Sequence, residues 1–268
     1  MVLDTQTLIG IVIAVALGMV VGLVALHHSQ ALAGRLQARR PLRAFDVIRD
    51  ALGRSAETGR ALHLSPGAGT LGNRATTAET IVGLLAVERV ASEAARNGAT
   101  VLVSSGDVVA HLALRGVVRQ VYQRTGQGQN YNPEYVQLLT HQDNTAYATG
   151  VATLYARQRL EASQIIGSFE PEFLLCGEEG AQRNIPQVAG ATTNATLPLM
   201  LLSTQGTLIG EEVFAAEAYL SSDVTAQARL RTQDTLRIIV IILLIAGVLY
   251  SVVQYVVPQL GLPPLPRA

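Results

Sequence analysis

The chain has 268 residues, with 20 basic and 20 acidic side chains. Its formal charge is therefore zero, and nothing in the balance points to nucleic acid as a partner. Every basic residue is an arginine, which excludes the lysine-dependent phosphate loop, Schiff-base and pyridoxal-phosphate chemistry, and Ser-Lys dyads.

Two uncharged apolar stretches, 8–26 and 238–257, enclose a segment that reads as water-soluble. A helix needs roughly 20 apolar residues to cross a bilayer, so each stretch is predicted to span one. Arg35, Arg39, Arg40 and Arg43 follow the first span, and Arg229, Arg231 and Arg237 precede the second. On the opposite flanks the charged side chains are Asp4 and Arg267. The positive-inside rule then places the central segment in the cytoplasm, both termini outside, and the chain in the inner (plasma) membrane. Tyr250 and Tyr255 suit an aromatic belt at the outer interface. A secretory leader is the rival reading of the first stretch, with Ala31-Leu32-Ala33 as a small-residue cleavage pattern, but Asp4 and the length of the apolar run oppose it. Cys176 has no intramolecular disulfide partner and fits a reducing cytosol. Gly10, Ala14, Gly18 and Gly22 recur every four residues as one small-residue stripe, matched by Gly247 and Ser251 in the second span. Such stripes let helices approach closely, so packing against the other span or another subunit is expected.

After the first span a helix is expected over 30–53, with Phe45, Val47 and Ile48 apolar among arginines. It reads as a connector or as a surface for anionic lipid headgroups. Short apolar runs then alternate with helical stretches. Strands are expected at 61–65, 100–104, 135–140, 164–168 and 187–190. The intervening helices are 76–97, opened by a Thr76/Glu79 capping box, a second from Asp107 to about 125, and a third from Asp143 to 160. One more starts after Pro171, and a short one carries Pro198 in its first turn. A further helix is expected over 206–220, and a last one from 223 that runs unbroken into the second span. The tail beyond Pro258 is too proline-rich to continue it. This alternation predicts an α/β, Rossmann-like three-layer domain with a mostly parallel sheet, flanked by two transmembrane helices. The expected divisions are 1–27, 28–58, 59–222, 223–257 and 258–268.

Gly67, Gly69 and Gly72 form a G-x-G-x-x-G string between a predicted strand and a predicted helix, the setting of a dinucleotide loop. The acidic partner expected about 20 residues on is missing, and Asp107 lies much further along. An anion site built from Ser65, Gly67, Gly69, Gly72 and Arg74 remains as an alternative to a structural turn. Gly69→Val is then expected to abolish anion binding while leaving the fold largely intact. Ser104, Asp107 and His141 join this loop at the carboxyl ends of the strands, where open α/β sheets place ligands, although such residues also serve as helix caps. No nucleophile-elbow string is present, and His63, His111 and His141 lack metal-ligand spacing, so neither a catalytic residue nor a metal site is assigned. No cofactor follows from the residues. Glu178-Glu179 and Glu211-Glu212 read as solvated helix faces, and Tyr122, Tyr131, Tyr135 and Tyr147 as packing residues.

The strings GRALHLSPGAG from Gly59, TAET from Thr77, GSF from Gly167, QVAG from Gln187 and IGEEVFAA from Ile209 resemble a bacterial family of membrane-anchored proteins known as a domain of unknown function. The likeness covers about residues 45–250. It implies the architecture, supplies no catalytic residues, and tells against a standard dehydrogenase. The expected role is a scaffold or assembly subunit of a homo-oligomeric membrane complex, with membrane lipid, a second copy and other membrane proteins as partners. A nucleotide- or phosphate-responsive sensor and a small-molecule hydrolase or transferase at the strand ends are the alternatives.

Overall fold

The computed structural model describes residues 5–34, 42–220 and 224–259. Arg35, Arg39, Arg40, Asp4, Asp223, Arg267 and the proline-rich tail lie outside the described residues. In chain order the elements are α1 (Thr5–Leu32), α2 (Arg43–Thr58), β1 (Ala61–Gly67), α3 (Thr77–Arg96), β2 (Val101–Ser105), α4 (Val108–Arg124) and β3 (Val136–Leu138). They continue with α5 (Asn144–Arg157), β4 (Leu160–Ser168), α6 (Phe173–Gln182), β5 (Gln187–Ala191), α7 (Leu197–Ser203), β6 (Gly206–Ile209), α8 (Glu211–Leu220) and α9 (Val224–Gln259). Two single 3-10 turns, Gly128–Asn130 and Pro133–Tyr135, lead from α4 into β3.

The chain divides into two compact units, one of residues 39–221 and one built from both ends of the chain. In the first, six strands form one sheet in the order β3-β2-β1-β4-β5-β6, and every pairing is parallel. This is the strand order of a doubly wound Rossmann-type sheet, and its direction of winding reverses between β1 and β4. Parallel strands need a crossover between them, so each is followed by a helix that covers one face. Alternate strand residues sort accordingly. Leu62, Leu64, Val101, Val103, Ala162, Ile166 and Val188 pack with side chains from α2, α3, α4 and α8. Leu102, Ile165 and Ala189 pack with Tyr147, Val151 and Tyr155 of α5, Phe173 and Cys176 of α6, and Met200 of α7.

Several boundaries differ from the sequence reading, each for a local reason. Residues 30–53 are not one helix. The first ends at Leu32, Gly34 takes a φ of 68°, and α2 is a separate helix that buries Ala44, Phe45, Ile48, Ala51 and Leu52 against the sheet. Its C-terminal end is tied to β4, where Glu161 accepts from Arg54 Nε at 2.6 Å and Thr58 Oγ1 at 3.3 Å. The segment 206–220 is a sixth strand followed by α8, because Gly206 to Ile209 pair in parallel with Val188 to Ala191 of β5, and glycine at 206 fits where a Cβ would come within 2.6 Å of the Ala44 Cα. The helix begun by Asp143 stops at Arg157, and Leu160 and Glu161 already belong to β4. The Thr76/Glu79 capping box does not form. Thr76 instead donates its hydroxyl to the Thr70 carbonyl at 2.9 Å, and Glu79 is buried beside Ser168. Asp107 and Asp143 do cap their helices, accepting from Ala110 N at 3.0 Å and Ala146 N at 2.8 Å.

The second unit pairs α1 with α9, a continuous helix of 36 residues. Both contain stretches long and apolar enough to cross a membrane, Ile13–Leu32 and Thr225–Val253. The two helices meet at a polar contact. Thr232 donates to the Ala228 carbonyl at 3.0 Å, so its oxygen accepts from His27 Nδ1 at 2.9 Å. Ala31, Ala226 and Ala228 are buried around it. Gly10, Ala14, Gly18 and Gly22 are exposed, and a Cβ added at Gly10, Gly18 or Gly22 would meet nothing within 4 Å. Gly247 is equally open, and Ser251 is exposed with its hydroxyl donated to the Gly247 carbonyl at 2.9 Å.

Candidate functional site

Open parallel sheets bind ligands outside the carboxyl ends of the strands, at the point where the winding reverses. Here that point lies between β1 and β4, and it brings the Gly67–Gly72 string to the end of β4. β1 runs two residues further than its apolar pattern predicts, so Gly67 is the last strand residue rather than the start of a turn. A Cβ at Gly67 would strike the Ser168 carbonyl and the Phe169 ring, and one at Gly69 would lie 2.5 Å from both Ser168 Cβ and Thr80 Oγ1. These two glycines let the loop seat against β4. Gly69→Val therefore strains the fold itself, contrary to the expectation that the fold would stay intact.

Part of the loop's donor set is turned inward. Gly67 N–H donates to Ser65 Oγ at 3.0 Å, Gly72 N–H to Thr77 Oγ1 at 2.9 Å, and Ala75 N–H to Asn73 Oδ1 at 3.0 Å. Arg74 is exposed at its outer end. Beneath the loop, Ala68, Tyr147, Phe169, Phe173 and Cys176 leave a cavity of about 10 Å³, which holds no more than about one water.

Ser65 and Ser104 are brought together on the inner face of the sheet by hydrogen bonds whose direction can be worked out atom by atom. Ser65 Oγ donates to the Ser104 carbonyl at 2.9 Å, so the Tyr147 hydroxyl must donate to Ser65. Ser104 Oγ then donates to Tyr147 at 3.2 Å and accepts from His63 Nε2 at 2.8 Å. His63 Nδ1 is left as an acceptor for Ser163 Oγ at 2.8 Å, which in turn accepts from Tyr155 at 2.6 Å. The chain Tyr155, Ser163, His63, Ser104, Tyr147, Ser65 is thus complete and needs a neutral histidine with its proton on Nε2. Burial holds the His63 pKa down at about 3, in keeping with that neutral form, and pushes the Tyr147 and Tyr155 hydroxyls well up. Sequence reasoning placed Tyr147 with the packing residues. The signal for its polar role was its position two helical turns before Tyr155 on α5, facing the alternate residues His63, Ser65 and Ser163 of two strands.

Asp107 and His141 form a second group at the same edge. Asp107 is buried at 1% exposure, caps α4, and stands 3.6 Å from Nδ1 of the exposed His141. The loop carrying His141 is fixed by Gln142, whose φ is 58° and whose N–H donates to the Gly106 carbonyl at 2.9 Å. Gly106 N–H donates in turn to the Gly67 carbonyl at 3.1 Å, so the ends of β1, β2 and β3 are tied together. Glu79, in the first turn of α3, has its pKa raised by burial and by Glu170, opposed by a hydrogen bond with Ser168. Among the described residues no cluster of three histidine, cysteine or acidic side chains is placed to hold a metal ion. Cys176 is buried, its thiol pushed up to about 12.

Comparison with curated proteins and with solved structures yields no match. A family profile does match, over residues 2–260, nearly the whole chain and wider than the resemblance read from its motifs. The chain belongs to the family described as Domain of unknown function (DUF6754).

Proposed function

We propose that this protein is a membrane-anchored scaffold or assembly subunit in a bacterial inner membrane. In this reading both apolar helices cross the bilayer, the α/β unit is cytoplasmic and the termini lie outside. The observation that carries it is the closed crevice between β1 and β4. The chain's own contact fills the place where a small molecule would sit, leaving about 10 Å³. Around that edge Ile81, Val108, Val109, Leu112, Leu174 and Leu175 are exposed, an apolar rim suited to protein contact. The arginines flanking each apolar helix support the orientation.

The open stripe of Gly10, Ala14, Gly18 and Gly22 supports association with a second copy or another membrane protein, since α9 leaves it uncovered. Native mass measurement of the detergent-extracted protein tests this. The wild type is expected as a homo-oligomer, and Gly18→Leu with Gly22→Leu is expected to shift it toward monomer while α1 and α9 stay paired. A wild type that is already monomeric discards self-association.

One specific observation favours a second reading, a hydrolase or transferase at the strand ends. A buried carboxylate beside an exposed imidazole, as in Asp107 and His141, is half of a general-base arrangement. Turnover of ester or phosphoester substrates that disappears in His141→Gln would establish it. The sensor reading through the Gly67–Gly72 loop draws support from Arg74 and the start of α3, while the Gly67 and Gly72 amides are engaged within the chain.

A further inference from the structure

The outer face of α4 carries a groove that the fold itself does not require. It has a volume of about 480 Å³ and is lined by Arg115, Gly116, Arg119, Gln123, Tyr131 and Pro133. Arg115 and Arg119 are one turn apart on the same helix face, where like charges disfavour the helix. Arg124, further along α4, is paired with Glu88 at 3.4 Å, whereas no ion pair among the described residues engages Arg115 or Arg119. Gly116 weakens the helix relative to alanine. Packing offers no reason for it, because a Cβ there would meet nothing within 4 Å. Its bare backbone lines the groove beside the two arginines and leaves space there that a larger side chain would occupy. Both features oppose helix stability and both are explained by a guest.

We infer that this groove is a binding site for an organic phosphate. Two unpaired guanidinium forks match a doubly charged tetrahedral group better than a single carboxylate. The volume falls within the range of small-molecule sites and exceeds what inorganic phosphate fills, and Tyr131 and Pro133 supply a wall for the organic part. The site lies on α4, away from the Gly67–Gly72 loop, and does not depend on the scaffold reading.

Titration calorimetry on the full chain in detergent tests it with AMP, adenosine, inorganic phosphate and the soluble lipid analogue dihexanoyl phosphatidate. Binding of AMP or of the phosphatidate, at least about tenfold tighter than inorganic phosphate, is expected, with adenosine silent. Which of the two binds more tightly tells whether the phosphate comes from a nucleotide-like molecule or a lipid headgroup. Arg115→Gln with Arg119→Gln is expected to weaken binding at least about tenfold. Gly116→Leu, which keeps both arginines and fills the groove, is expected to do the same without lowering the melting temperature. Arg74→Gln is expected to change nothing. Failure of every phosphate probe to bind at millimolar concentration overturns the site, as does binding that survives the groove variants but is lost with Arg74→Gln.

Discussion

Protonating His63 would end the acceptance by its Nδ1 of the Ser163 hydrogen and put a charge in a fully buried place between two strands. The sign of the resulting pH dependence follows. The folded-state pKa, about 3, lies below the ordinary value of 6.5, so the unfolded chain takes up the proton first as pH falls. The stability tied to this group is complete above about pH 6.5 and is lost as pH drops toward 3, with a slope approaching 1.4 kcal/mol per pH unit. Thermal unfolding of wild type and His63→Gln between about pH 4 and 7 checks this. The variant is expected to be less stable at neutral pH, because the chain through Ser104 and Ser163 is broken, and to lose less on acidification. Parallel pH profiles for the two proteins would remove His63 as the responsible group.

Among the elements, α3 is seated closely on the sheet. A Cβ on Gly83 would strike the Ile166 carbonyl and come within 2.7 Å of Pro66 Cα, so this helix lies directly on β1 and β4. Gly83→Val is expected to destabilise the α/β unit by about 3 kcal/mol, as overpacking against backbone that cannot yield does. A melting temperature equal to wild type would show that the helix can lift away. The same elements show what a sequence can and cannot convey. Asp107 and Asp143 mark helix starts because a cap is a local device, readable from the neighbouring residues. Thr76 and Glu79 have the capping spacing as well, yet Glu79 is drawn to Ser168, a residue of β4 whose position only the tertiary fold sets. The four residues of β6 are too short for their alternation to stand out from the helix that follows. The groove on α4 was equally hidden, since Arg115 and Arg119 acquire meaning only when Tyr131 and Pro133 of the following turns close one side of it.

For the whole molecule the two apolar helices and the α/β alternation were legible, because each rests on composition and period over many residues. The order of the strands was not, since it is decided by crossovers between distant segments. The proposed membrane orientation is open to a direct check, but Cys176 is a poor reporter for it. At 1% exposure, with its thiol pushed up to about 12, it is expected to resist thiol reagents from either side. A Cys176→Ala background carrying Glu134→Cys, at an exposed position of the α/β unit, is the suitable probe. Labelling only after the inner face is opened is expected, and labelling of intact cells would reverse the orientation. The contact between His27 and Thr232 carries one more consequence, set by the clock of synthesis. Its two partners are 205 residues apart in the chain. At about 5–20 residues per second, α1 waits roughly 10–40 s before the residue that completes its polar contact has been made. During that interval every strand of the sheet is synthesised, so strand pairing in the α/β unit starts before α9 is complete, and the joining of α1 to α9 comes late in assembly.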